Sequence, residues 1–354
     1  MTLVWASGYS GNPGKVKLKA SGTSVNLKVT NSQDYAPKYV RYLINTEAVT
    51  PGTVDYNFGI VAGPVDIDWG DGTSNTAVNT NTTHTYSSPG YYVVTISQNG
   101  TSAFRPDIGL QEISVEHESV EGGGFWAGSM GNVAQNASYL KRWGSVDLGN
   151  VTSLNGAWTS CSSLTSFPLV NTSSCTNFRN TWRKCTSLAS FPAIDTSLGG
   201  DFQLAWEQNA FNTFPALDFS SATKMGRAWN NCSNLTAFPA LSAAQRFSSA
   251  MVTGSSPYGG FQGAWFGCSS LTTFPPNIFD DVINCTRFNF AFQACALTAQ
   301  SIENILVSID TANTSNGTLG LNGGTNAGQS TWTSAATTAY NNLIGRGWTI
   351  SANA

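Results

Sequence analysis

Ala264-Trp265-Phe-Gly-Cys268-Ser-Ser-Leu271-Thr-Thr-Phe274-Pro275 is one copy of a pattern that recurs along the chain. Its markers are Trp158, Trp182, Trp206, Trp229, Trp265 and Phe292, at intervals of 24, 24, 23, 36 and 27 residues. Four residues before each marker stands an apolar residue: Leu154, Phe178, Phe202, Met225, Phe261 and Phe288. One residue before is a small one, and three after is Cys161, Cys185, Cys232, Cys268 or Cys295, with Asn209 in the third copy. These slots fall at i, i+3, i+4 and i+7, which is one face of about two helical turns. A run of the type L-x-x-F-P follows, as in Leu164–Pro168, Leu188–Pro192 and Leu235–Pro239. It is too short for a helix and reads as one strand, bounded by a proline that cannot donate to a ladder. One such unit cannot bury its apolar side alone, so stacking is required.

Outward from the repeat, residues 298–354 change register. Thr298 is placed to cap a helix carrying Ile302, Ile305, Leu306 and Ile309. A strand around 317–323, a second helix over 334–344 and a last strand over 347–351 complete an expected end cap. On the other side, Val65-Asp-Ile-Asp-Trp69-Gly-Asp-Gly-Thr73 reads as a strand ending in an Asp-Gly turn. Residues 14–30 alternate around a glycine turn as a hairpin. The expected segments are 1–36 (hairpin and attachment), 37–105 (β-sandwich), 106–297 (repeats) and 298–354 (cap).

Three of these stretches resemble known families. The pairing of WGDGT (69–73) with HTYSSPGYYVVTI (84–96) resembles the PKD-like immunoglobulin-type sandwich, which implies a spacer or adhesive unit and a structural role for His84. The recurring Gly267-Cys-Ser-Ser-Leu-Thr-Thr-Phe-Pro275 resembles the BspA-like leucine-rich repeats of bacterial and phage surface proteins, although Trp replaces the more usual Phe at the marker. The stretch SIENILVSID…LIGRGWTIS (301–351) resembles the end of phage tail-associated repeat proteins. Together they imply a multidomain fold: an all-β immunoglobulin-like sandwich, then an α/β leucine-rich-repeat-like solenoid with a carboxy-terminal α/β cap.

Composition agrees with an exterior role. Charged residues are 10% of the chain, well below the usual quarter, so Ser, Thr, Asn and Gly must supply the polar surface. Residues 1–41 carry a charge of +5 and the remainder −8 within the net −3. Lys15, Lys17 and Lys19 are therefore expected as attachment residues, against the plainer reading of a solvated hairpin face. No apolar stretch is long enough to span a membrane, and the first residues lack the features of a secretory signal.

Chemistry is scarce. The seven cysteines include no C-x-x-C pair, and those in the repeat slot are expected as buried thiols packing like small hydrophobes. The Trp row and Phe292 share that face and are expected in the core. Asp66, Asp68 and Asp71 supply too few oxygens for a calcium loop, so no metal and no cofactor is expected. No G-x-S-x-G elbow, phosphate loop or H-E-x-x-H is present. Ligand contacts are expected off-register, at Phe125 and Trp126 before the first copy and at Tyr258 in the insertion that stretches one interval to 36. The reading is a non-enzymatic virion adhesion protein, a phage tail fibre or decoration on the virion surface. Its amino-terminal region would meet other virion proteins, and its repeats a host glycan or protein, with no nucleic acid and no membrane insertion. A cellular cell-surface adhesin and a polysaccharide depolymerase are the alternatives, and the oligomeric state stays open.

Overall fold

The computed structural model describes residues 64–78, 82, 84–98, 127–132, 134–138, 140–144, 148–254 and 257–354, and the backbone of four further strands. The chain forms two compact units, Met1–Pro37 and Lys38–Ala354. In the first, β1 (Val16–Ala20) pairs antiparallel with β2 (Thr23–Leu27).

In the second unit, β3 (Tyr39–Asn45), β4 (Val65–Asp68), β5 (Ser74–Val78), β6 (Tyr91–Gln98) and β7 (Glu116–Gly123) form one sheet in the order β5-β4-β6-β3-β7. Every pairing in it is antiparallel. Ile67, Val94 and Ile96 are buried, whereas Asp68 is exposed and Asp66 and Thr95 are half-buried. An antiparallel sheet can stand with one face covered and one in water. The expected two-sheet sandwich is corrected here: the described strands of this region form one five-stranded sheet.

The repeat region departs from expectation in a more instructive way. Its copies contain neither the helical turn nor the strand of the expected α/β solenoid. The residues two before and two after each marker have positive φ: 55° and 60° at Asn180 and Lys184, 61° and 62° at Leu204 and Gln208, 57° and 57° at Arg227 and Asn231. A left-handed residue every fourth position breaks any α-helix. What remains is a chain of four-residue turns, and it keeps the same inward spacing as a helix.

Backbone hydrogen bonds divide accordingly. In the second copy the amides of Phe178, Asn180, Trp182 and Lys184 donate to the carbonyls of Asp201, Gln203, Ala205 and Glu207 in the next copy, at 2.7–2.9 Å. The amides between them, of Thr181, Arg183 and Cys185, close turns onto Phe178, Asn180 and Trp182. Each of these amides thus has a partner without any helix, as buried backbone requires. The L-x-x-F-P segments contribute single parallel bridges, such as Thr213 with Ala237 and Ala237 with Thr273, because the following proline has no donor to extend them.

The ladder extends beyond the six copies legible from the markers. Met130, Asn132, Ala134 and Asn136 donate to Ser153, Asn155, Ala157 and Thr159 in the same alternation, so Ala134 stands in a marker slot. Trp143, one interval before Phe167, packs perpendicular to Trp158 at 5.0 Å. A short parallel pair, β8 (Ala127–Ser129) with β9 (Asn150–Ser153), lies at this end. At the other end β10 (Arg287–Phe288), β11 (Thr318–Gly320) and β12 (Thr349–Ser351) pair in parallel. Helices α1 (Ala299–Thr311) and α2 (Ser334–Gly345) pack together there. Thr298 and Thr333 cap them by accepting from the amides of Ser301 and Ala336.

Inside the ladder the rings stack. Successive markers from Trp158 to Phe292 lie 5.7, 5.9, 5.3, 5.2 and 4.9 Å apart, within 11° of parallel. Phe167, Phe191, Phe214, Phe238 and Phe274 meet them nearly edge to face. The structure places all six markers and the five slot cysteines in the interior. Each slot thiol donates to a carbonyl one copy back: Cys185 to Trp158, Cys232 to Trp206, Cys268 to Trp229 and Cys295 to Trp265, each at 3.1 Å. All seven thiols are free and buried.

Candidate functional site

The turns that send apolar side chains inward send four positions of each copy outward: three and two before the marker, one and two after it. In the second copy these are Arg179, Asn180, Arg183 and Lys184, all half-buried; in the third they are Gln203, Leu204, Glu207 and Gln208, of which the first three are buried. Copies four to six present Gly226, Arg227, Asn230 and Asn231, then Gln262, Gly263, Phe266 and Gly267, then Asn289, Phe290, Gln293 and Ala294. Stacking turns these into a two-dimensional array. Inward slots repeat their chemistry from copy to copy; outward slots do not.

The middle of the array is locked. Glu207, whose side chain is 3% exposed, takes the Arg183 Nε at 2.5 Å and lies 3.7 Å from an Arg227 Nη1 of the following copy. The Arg227 guanidinium in turn sits 4.9 Å from the centre of the Tyr258 ring. Tyr258 also accepts from Gln203 Nε2 at 2.8 Å through its backbone carbonyl. Gly226 makes this contact possible, because a β-carbon there would lie 1.9 Å from the Tyr258 oxygen. The insertion therefore folds back over the third and fourth copies, and Tyr258 is half-buried in the fold-back. Arg179 and Lys184 have no ion-pair partner among the described residues.

The carboxy-terminal end of the array is different. Its eight outward positions carry no charge. Phe290 is 49% exposed and holds a positive φ of 60°. Gln262 Oε1 and Asn289 Oδ1 are shielded from water and receive no hydrogen bond. Gln293 donates to the side chain of Asn322.

The remaining expected positions fall as follows. Phe125, Trp126 and Lys15 lie outside the described residues. Lys17 and Lys19 lie on β1, opposite Asn26 and Ser24. The three aspartates of the WGDGT segment are engaged locally. Asp66 accepts from the Ala77 amide, freed by an irregularity in the β4–β5 register, and Asp68 accepts from the Gly70 amide. Asp71 holds the Thr73 amide and hydroxyl and meets His84 Nε2 at 2.8 Å. Burial would raise the Asp71 carboxyl, but the hydrogen bonds from Thr73 and His84 outweigh it and hold the group below its ordinary value. His84 stacks flat on Trp69 at 4.6 Å, so it braces the turn. No group of three or more metal-ligating side chains is gathered among the described residues. Asp195 and Asp218 occupy corresponding places on neighbouring copies, and each spends a carboxylate oxygen on the amide and hydroxyl of the serine two residues on.

The chain matches no family model, no curated protein and no solved structure.

The outward array and Phe290 escaped the sequence reading. A signal for them was present: between the recurring inward slots, residues two before the marker run Gly, Asn, Leu, Arg, Gly, Phe, a column that obeys no packing rule.

Proposed function

We propose that this chain is a non-enzymatic adhesion protein of a virion, in which stacked repeats hold a recognition surface facing a host cell. The observation that carries the reading is the contrast between the two sides of one backbone ladder. A chemically uniform interior supports an outward array whose composition changes copy by copy, which is how a rigid scaffold serves binding. The amino-terminal segment, with Lys15, Lys17 and Lys19, would serve attachment to other virion proteins.

Immunogold labelling of particles and cells from the source culture, with antibody raised against the whole chain, tests the reading. Gold on particle surfaces is the expected result. Gold confined to the cell envelope would favour a cellular adhesin, and gold on neither would overturn both. A depolymerase would release reducing ends from host polysaccharide, and none is expected.

A further inference from the structure

Cations are few on this chain, and several in the repeats are already engaged. Lys224 meets Asp201 at 3.5 Å, Arg246 meets Asp280 and Asp281 at 3.3 and 3.1 Å, and Arg287 donates to the Gly254 carbonyl. Arg179 and Lys184 have no side-chain partner among the described residues, yet both are half-buried. An exposed lysine needs no partner, whereas a partly desolvated cation without an anion costs free energy.

The backbone asks for neither residue. In the slot of Arg179 the other copies carry Asn155, Gln203, Gly226, Gln262 and Asn289. In the slot of Lys184 they carry Ser160, Gln208, Asn231, Gly267 and Ala294. Lys184 holds a φ of 60°, so the lysine adds strain that Gly267 avoids. Arg183 stands in the same turn segment, held by buried Glu207, and Arg227 approaches Glu207 from the fourth copy. The outward positions of the six copies hold these four cations and one anion, a net +3 on a chain of net −3. Such a face draws an anion from outside the chain.

The charge is also local. The first copy turns Asn155, Gly156, Thr159 and Ser160 outward, and the last two copies turn no charge outward. A nucleic acid bears a phosphate at every nucleotide and calls for cations along its whole track. A protein interface calls for an apolar centre, which the outward positions of the second copy lack. An acidic sugar in a neutral glycan carries one anionic group among hydroxyls, which matches a few cations beside uncharged Asn155 and Ser160.

We infer that the outward turns of the second copy form a subsite for the acid group, carboxylate or sulfate, of an otherwise neutral host glycan, with Arg179 and Lys184 as its cationic contacts beside the anchored Arg183. A guanidinium meets either oxyanion through paired N–H donors, and an ammonium adds a point charge. This inference rests on the adhesion reading and names the ligand class for it.

The test titrates the full chain calorimetrically with sialyllactose and an aldobiouronic acid (one carboxylate each), lactose 6-sulfate (one sulfate), lactose, maltohexaose and a single-stranded oligonucleotide. At least one acidic saccharide should bind tenfold or more tightly than lactose, and less tightly as salt is raised; the arm that binds names the anion. Arg179→Gln with Lys184→Gly should weaken it tenfold or more, while Lys141→Gln with Arg142→Gln, the same loss of charge outside the array, should leave it unchanged. Glutamine and glycine already fill these slots in other copies, so the melting temperature should be kept. If it falls, Lys184→Gly alone is read under the same criterion. Binding by neutral sugars alone, by the oligonucleotide in preference to every saccharide, or by none of the panel would each overturn the subsite. So would acidic binding that survives the array substitutions or is lost equally in the control pair, and so would self-association of the parent that the array substitutions abolish, which would give the face to a second copy. In each of these cases the adhesion reading stands; that reading falls separately, if immunogold finds the chain on neither particle nor cell.

Discussion

The two sides of the turn ladder share one backbone and obey different rules. On the inner side, substitution is costly and the slots repeat: Trp over Trp, Phe over Phe, thiol over carbonyl. On the outer side the same turns carry Arg, Glu, Leu, Gly and Phe in equivalent places. A single backbone solution thus separates stability from recognition, and the boundary between them runs residue by residue within each eight-residue turn segment. Asn209 is the exception on the inner side: it replaces a cysteine, is 3% exposed, and neither of its amide atoms has a partner.

The largest effect should come from raising the pH. Burial pushes the Cys232 and Cys295 thiols up to about 12 and Cys285 to about 11, from an ordinary value of 9.0. A raised value means stability that is complete below pH 9 and lost as pH rises towards the folded-state values, since only the unfolded chain ionises in between. Circular dichroism should show cooperative unfolding between those limits, and thiol reagents at neutral pH should label these positions only after denaturation. Rapid native labelling would break the comparison at its inner side.

Trp182→Ala should cost about 3–5 kcal/mol in denaturant unfolding, the usual range for deleting a buried aromatic ring. Trp182→Phe should cost far less, because Phe292 already occupies the same slot and the indole N–H of Trp182 has no acceptor to lose. A neutral alanine variant would mean that the ring column does not hold the copies together.

Asn209→Cys should stabilise the chain by about 1–3 kcal/mol, the desolvation cost of an unpaired buried polar group. Thermal melts would measure it, and destabilisation would show that Asn209 serves something other than packing. The smallest effect belongs to the outer side. Lys184→Gly, at a φ of 60° with no partner for its ammonium, should raise stability by about 1 kcal/mol or less. A loss as large as that of Trp182→Ala would erase the distinction between the two sides.

Much of the inner side was legible from residue types alone. The apolar residues at i, i+3, i+4 and i+7 and the in-register cysteines specify which side chains turn inward, whatever the backbone does. They do not specify the backbone. A helix and a chain of four-residue turns share that spacing, and both give every amide a partner. The α/β reading failed there because Leu204 and Arg227 do not announce a positive φ as residue types, and the hint from Asn180, Gly156, Gly263 and Gly267 in the same slots went unread. The copy at 130–137 was missed for a related reason: its marker slot holds Ala134, which carries no aromatic signal, and only the backbone ladder reveals it.

The sequence by itself determined the repeat, its register and its buried column, because hydrophobic spacing is a property of the chain read in order. Only the tertiary structure decided that the copies join through alternate amides, that Glu207 is buried between two arginines, that the insertion folds back onto Gly226, and that Arg179 and Lys184 find no anion among the described residues. Each of these depends on what the neighbouring copy or the insertion presents, and contacts between residues 20 to 32 positions apart leave no mark on local spacing.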